Sequence, residues 1–177
     1  GTAISSENTA FERKACEIFK LINSGLVDGI LCSTNGLFQD EPYLDINDLL
    51  SKNHGVPFVC LGRSVRNFPS VISDEYVGSL KLMSHLIEVH GYKKIAFVNG
   101  PENYGNIIYR FNGYMDSLKK YNIKPDERLI SQHGNFDELT GKTAVEYFLD
   151  RLKLKPKKDI EAIVTVSDLI SIGVIKE

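Results

Sequence analysis

This sequence lacks an excess of charge of either sign: among 177 residues, 21 Lys and Arg stand against 23 Asp and Glu, a formal net charge of −2 with both signs mixed along the chain. Without a basic stripe to displace counterions from a phosphate backbone, the segment is not expected to touch DNA. Cysteine is scarce. Cys16, Cys32 and Cys60 are widely spaced, form no Cys-x-x-Cys pair, and sit among apolar neighbours such as Ile30, Leu31, Val59 and Leu61. That excludes a disulfide scaffold and predicts small buried hydrophobes in a reducing compartment. There is no Asn-x-Ser/Thr acceptor. Residues 1–8 have neither a basic start nor an apolar run of signal length, and no stretch approaches the roughly eighteen apolar residues of a membrane helix. A cytoplasmic location and no membrane partner are the expectations. With 42% of residues hydrophobic, disorder is excluded as well.

The signatures of common enzyme chemistry are also missing. Gly141-Lys142-Thr143 resembles the tail of a phosphate-binding loop, but Phe136 stands where that motif needs its first Gly, so an exposed helix start is expected. No Gly-x-Gly-x-x-Gly follows a strand and no Gly-x-Ser-x-Gly elbow occurs. His85 and His90, five apart on one helix, are rotated by about 140° and are not expected to share a metal. The basic run from Arg151 to Lys158 is interrupted by Pro156 and bounded by Asp150 and Asp159, which suits a solvated helix end. No catalytic residue, metal or cofactor is expected.

What is present is alternation. Asp28–Ser33, Pro57–Gly62, Lys94–Asn99, Arg128–Ser131 and Ala162–Val166 read as short strands buried on both faces. Helical periodicity runs through Phe11–Leu26, Tyr76–His90, Ile107–Tyr121 and Glu138–Leu154, with Ser73 and Asp74 as possible N-caps and Gly91 as a C-cap. Strand and helix in repeated succession imply an α/β fold with parallel sheets covered by helices. Ligands of such sheets bind beyond the carboxyl ends of the strands. The segments to search are therefore residues 33–38, 62–68, 99–105, 134–137 and 167–168. A weak boundary at residues 91–94 divides a lobe over residues 1–91 from one over residues 92–177.

Four segments in fixed order say more than periodicity does. Val71-Ile72-Ser73-Asp74-Glu75-Tyr76-Val77-Gly78 leads to His85-Leu86-Ile87 and His90-Gly91-Tyr92-Lys93-Lys94-Ile95-Ala96-Phe97-Val98-Asn99-Gly100-Pro101. Arg110-Phe111-Asn112-Gly113-Tyr114 follows, then Gly134-Asn135-Phe136, then Ala162-Ile163-Val164-Thr165-Val166-Ser167-Asp168 through Gly173. The series, over nearly the whole chain, resembles the effector-binding core of LacI/GalR-type regulators. The resemblance implies the periplasmic-binding-protein-like type I fold, two Rossmann-like lobes with parallel sheets. Both lobes, 1–91 and 92–177, are expected to be partial, so the chain is expected to be a fragment incomplete at both ends.

It also implies candidate ligand-binding residues. Arg110 matches an arginine that bonds the ligand from the start of a C-lobe helix, its planar fork suiting hydroxyls or a carboxylate; read alone, it is a helix-surface Arg. Phe136 matches an aromatic lining the cleft, or is a core Phe. Asp168 matches an acidic residue at the next helix start, where it also suits an N-cap, and Asp74 is hinge-adjacent or a cap. Ser167 departs from the family's usual Asn, shortening the reach and removing an amide. Tyr104 and Asn106 are further candidates on a loop that also suits an ordinary turn.

The implied activity is non-enzymatic: a small polar ligand, a sugar, nucleoside or carboxylate, binds between two lobes of a homodimer and their closure is relayed to an output. The resemblance extends equally to repressors, which carry an upstream helix-turn-helix, and to sensor domains of histidine kinases or diguanylate cyclases, so DNA or phosphotransfer enters only through a domain outside this chain. The residues alone leave open a doubly wound enzyme domain and a degenerate dimerisation module.

Overall fold

The computed structural model describes residues 27–33, 56–62, 64, 68–102 and 105–177. Contacts divide the chain into two units, Gly1–Ser73 and Asp74–Glu177.

In the first unit, β1 (Ile30–Ser33), β2 (Phe58–Leu61) and β3 (Ser70–Val71) form a parallel sheet in the order β1-β2-β3. Cys32 lies opposite Cys60 in register, and both are buried, as their apolar neighbours predict. Phe58 packs edge-on against Phe68 beside them, ring centroids 5.6 Å apart. Leu31, on the other face, is 73% exposed, so burial on both faces does not hold for β1. The expected helix Phe11–Leu26 and Cys16 lie outside the described residues.

The second unit is built on β4 (Ile95–Val98) and β5 (Ala162–Thr165), which run parallel from the pair Ile95–Ala162 to the pair Val98–Thr165. All four β4 residues are buried, which is why this strand reads as an uninterrupted apolar run. Register at its start is set by Glu161, whose carboxylate accepts the backbone N–H groups of Lys93 (2.7 Å) and Lys94 (2.9 Å). These two bonds hold the carboxyl below the usual carboxylate range.

The predicted strand Arg128–Ser131 is corrected. Asp126 caps a 3₁₀ turn over Glu127–Leu129, accepting the Arg128 N–H at 3.0 Å and pairing with its guanidinium, so the chain reaches the sheet only as a single bridge from Ile130 to Phe97.

Helices α1 (Glu75–Glu88) and α2 (Gly105–Lys120) pack together, as do α3 (Glu138–Glu146) and α4 (Asp168–Lys176). Asp74 caps α1 by accepting the Val77 N–H, and Asp137 caps α3 by accepting that of Thr140. The sequence places α1 at the end of its first lobe, whereas the contact division falls ahead of it and α1 joins the second unit. From α2, Tyr114 buries its ring beside Phe97 and donates its hydroxyl to the Ile95 carbonyl at 2.9 Å. Beyond α3 a π turn over Tyr147–Arg151 ends the periodicity before Leu154. Of Gly141-Lys142-Thr143, expected as an exposed helix start, Lys142 and Thr143 are exposed near the start of α3, whereas Gly141 is buried against the Ile170 carbonyl of α4.

The end of α1 holds another correction. Gly91, at φ +72°, donates to Ile87 O at 3.1 Å while Tyr92 donates to Leu86 O at 3.2 Å, an αL stop that glycine adopts without strain. The helical turn runs on past Glu88 to Gly91, and there the His90 Nε2 stands 3.1 Å from that of His85, the two nitrogens hydrogen-bonded to each other. The two rings that regular helical geometry keeps apart therefore meet. Among the described residues no helix is long and apolar enough to cross a membrane.

Candidate functional site

The carboxyl ends of β4 and β5 are where parallel-sheet geometry directs a search, and residues from four segments converge there. Gly100, two residues beyond β4, is buried so tightly that a Cβ would meet Ile107 Cδ1 and Val166 Cγ2 at 2.9 Å and Phe136 Cε1 at 3.4 Å. Only the absence of a side chain lets the loop after β4, the first turn of α2, the segment before α3 and the end of β5 approach one another. The Gly100 carbonyl accepts from His133 Nδ1 at 3.1 Å and from the Gly134 N–H at 3.3 Å. Asn99 is buried, donating its side-chain amide to Ser131 O at 2.8 Å and its backbone N–H to Ser131 Oγ at 2.9 Å. These bonds fix the strand ends without a long partner strand.

Arg110 stands in the second turn of α2, half-buried, and turns its guanidinium toward the same place. Nη1 donates to the Val166 carbonyl at the end of β5, while Nε and Nη2 both reach Glu75 Oε2 at 2.7 Å. Among the described residues, partners take three of the five guanidinium N–H groups, and the positive charge is balanced by a carboxylate that is itself only 17% exposed. Ser167 follows Val166 as the N-cap of α4, accepting the Ile170 N–H. Asp168, in the first turn of α4, is exposed. Phe136 is half-buried and packs on the core with one ring edge toward Gly100.

The structure therefore brings Arg110, Phe136, Ser167 and Asp168 to one end of the β4–β5 sheet. Asp74 is spent on capping α1, although its neighbour Glu75 is the partner of Arg110. Tyr104 lies outside the described residues; Asn106 sits half-buried in the first turn of α2. Glu75, His133 and Asn99 are additions. Nothing in the sequence distinguishes Glu75 from an ordinary acidic residue in a first helical turn, and His133 belongs to no motif. An open depression of about 470 Å³ lies beside α3, lined by His133, Asn135, Thr140, Tyr147 and Arg151 among others, and includes none of Arg110, Phe136 or Asp168. The convergence at the strand ends, with its charged and aromatic groups, is the better candidate.

Comparison with known proteins agrees with this architecture. The HTH-type transcriptional regulator CelR of Thermobifida fusca is 29% identical to this chain over 154 residues, 85% of this chain and 42% of that protein. The ribose operon repressor of Bacillus subtilis (strain 168) is 31% identical over 112 residues, 63% of this chain and 31% of the repressor. A solved transcriptional regulator CelR–cellobiose complex superposes with a TM-score of 0.65 at 28% identity, covering 90% of this chain and 46% of that one. The chain thus spans less than half the length of each of these relatives. A family model described as periplasmic binding proteins and sugar binding domain of LacI family matches residues 9–176, and the chain belongs to that family.

Proposed function

We propose that this chain is the effector-sensing part of a transcriptional regulator, without catalytic activity, in which a small polar ligand binds at the carboxyl ends of β4 and β5. The observation that carries the reading is the approach of Arg110 and Phe136 to the Val166–Asp168 segment. The guanidinium N–H groups without a partner among the described residues supply donors, the exposed Asp168 carboxylate supplies acceptors, and the half-buried ring of Phe136 supplies an apolar wall. Such a mixture suits a polyhydroxylated ring, which presents hydroxyl donors and acceptors around C–H faces.

Among the three ligand classes, charge balance favours a sugar. A carboxylate ligand reaching Arg110 meets Glu75 already bound to it, so its attraction is largely cancelled. Cellobiose in the related regulator complex supports the same preference. Ser167 holds the α4 cap and contributes a hydroxyl rather than an amide. Binding acts by shifting an open/closed equilibrium that a dimer partner and an output domain read. The relatives are regulators of transcription, which favours DNA as the final target over histidine kinase or diguanylate cyclase outputs. Isothermal titration against mono- and disaccharides, nucleosides and carboxylates tests this. Saccharide binding that Arg110→Ala abolishes is expected; absence of binding by every class, or binding unchanged in that variant, overturns the site.

A further inference from the structure

The facing histidines at the end of α1 belong to no part of the site just described. We propose that His85 and His90 form a two-histidine site for a transition-metal ion of the imidazole-binding kind, Cu(II), Ni(II) or Zn(II). Both side chains are exposed, their Nε2 atoms are 3.1 Å apart, and their rings meet nearly at right angles with centroids separated by 4.9 Å. Two imidazole nitrogens bound to one tetrahedral ion at 2.0–2.1 Å lie roughly 3.3 Å from each other, so the Nε2 atoms already stand near the required separation.

The arrangement is also held before any ion arrives. The Gly91 stop fixes the backbone that carries His90, and Tyr92 stacks on the His90 ring at 5.4 Å with 15° between planes. With an Nε2 proton on either ring the two nitrogens are hydrogen-bonded to each other; when both rings carry their proton on Nδ1, both Nε2 lone pairs are available to one ion, which takes the place of that bridging proton. Among the described residues no group of three or more His, Cys, Asp or Glu side chains is gathered to hold an ion, so water completes the coordination. A site of two imidazoles and water favours metals that prefer nitrogen, and offers nothing to Mg²⁺ or Ca²⁺, which take oxygen ligands from the protein.

The test uses Cu²⁺ as probe. One equivalent is added to the full chain, and electron spin-echo envelope modulation counts the imidazoles bound to it. Two imidazoles are expected in the wild type and one in each of His85→Ala and His90→Ala, with two retained in His133→Ala. One or no imidazole in the wild type, or two remaining in either of the first two variants, overturns the site. The result is independent of saccharide binding, so it stands or falls apart from the proposed function.

Discussion

Arg110 and Glu75 are joined through two nitrogens to one carboxylate oxygen, Nε and Nη2 each 2.7 Å from Oε2, across the packed pair α1 and α2. A cation that reaches a candidate ligand site already paired has a different chemistry from a free one. Its donors are oriented but its charge is offset. Replacing Glu75 by Gln keeps an acceptor for the guanidinium and removes that offset. In Glu75→Gln, affinity for carboxylate-bearing compounds is expected to rise relative to saccharides, measured by titration calorimetry. Because the pair is partly solvated, the accompanying loss of stability is expected to stay within about 1 kcal/mol.

Gly100→Ala tests the convergence itself. The added methyl meets Ile107 and Val166 at 2.9 Å and Phe136 at 3.4 Å, and its neighbours come from different elements that cannot all retreat together. A destabilisation of about 1–3 kcal/mol by urea denaturation is expected, the usual cost of overpacking. Ligand binding is expected to weaken as well, because Phe136 and the Val166–Asp168 segment move with the strain.

Much of this architecture was legible in the residues. Ile95–Val98 is apolar without interruption because both its faces are covered, and Asp74 and Gly91 mark helix ends by chemistry that acts within a few residues. Strand β3 was not legible, since two paired residues carry no periodicity. Arg128–Ser131 read as a strand because its composition suits one; the Asp126 side chain, bonding its neighbour's backbone, held most of it as a turn. At the site, Arg110, Phe136, Ser167 and Asp168 came from a resemblance, and spacing alone left each as a surface, core or cap residue. Glu75 and the meeting of His85 with His90 depend on tertiary packing and on where a helix stops, which local pattern does not encode.

Glu161 gives the acid side of the stability curve a specific contributor. Its carboxylate accepts the Lys93 and Lys94 N–H groups, and its pKa in the folded chain lies below the ordinary value. The ionised form is thus favoured by folding. Its contribution is fully present above the unfolded-state pKa and is lost as pH falls through the lower folded-state value. Glu161→Gln is expected to lower stability by about 1 kcal/mol at neutral pH, as charge-assisted bonds become neutral ones, and to flatten the acid limb. Thermal unfolding of both proteins from neutral pH into the acid range checks this.

Tyr114 acts at the opposite end. Burial of its phenol, with a smaller effect from the negative charge of Asp126, pushes its pKa up to about 12, while the hydroxyl donates to the Ile95 carbonyl. The unfolded chain ionises this group near its ordinary value of 10.0. Folding therefore favours the neutral form, and the stability tied to it is complete below the unfolded-state pKa and drains away as pH rises toward the folded-state value. Tyr114→Phe keeps the ring and removes the proton. At neutral pH it is expected to cost about 1–2 kcal/mol, because the Ile95 carbonyl loses its donor in a dry core. Other groups titrate in the same alkaline range, so the quantity to follow is the difference in stability between wild type and Tyr114→Phe. That difference should shrink steadily between about pH 10 and 12. A difference that stays constant over this range would mean that the Tyr114 hydroxyl ionises as readily in the folded chain as in the unfolded one, and so is not buried against β4.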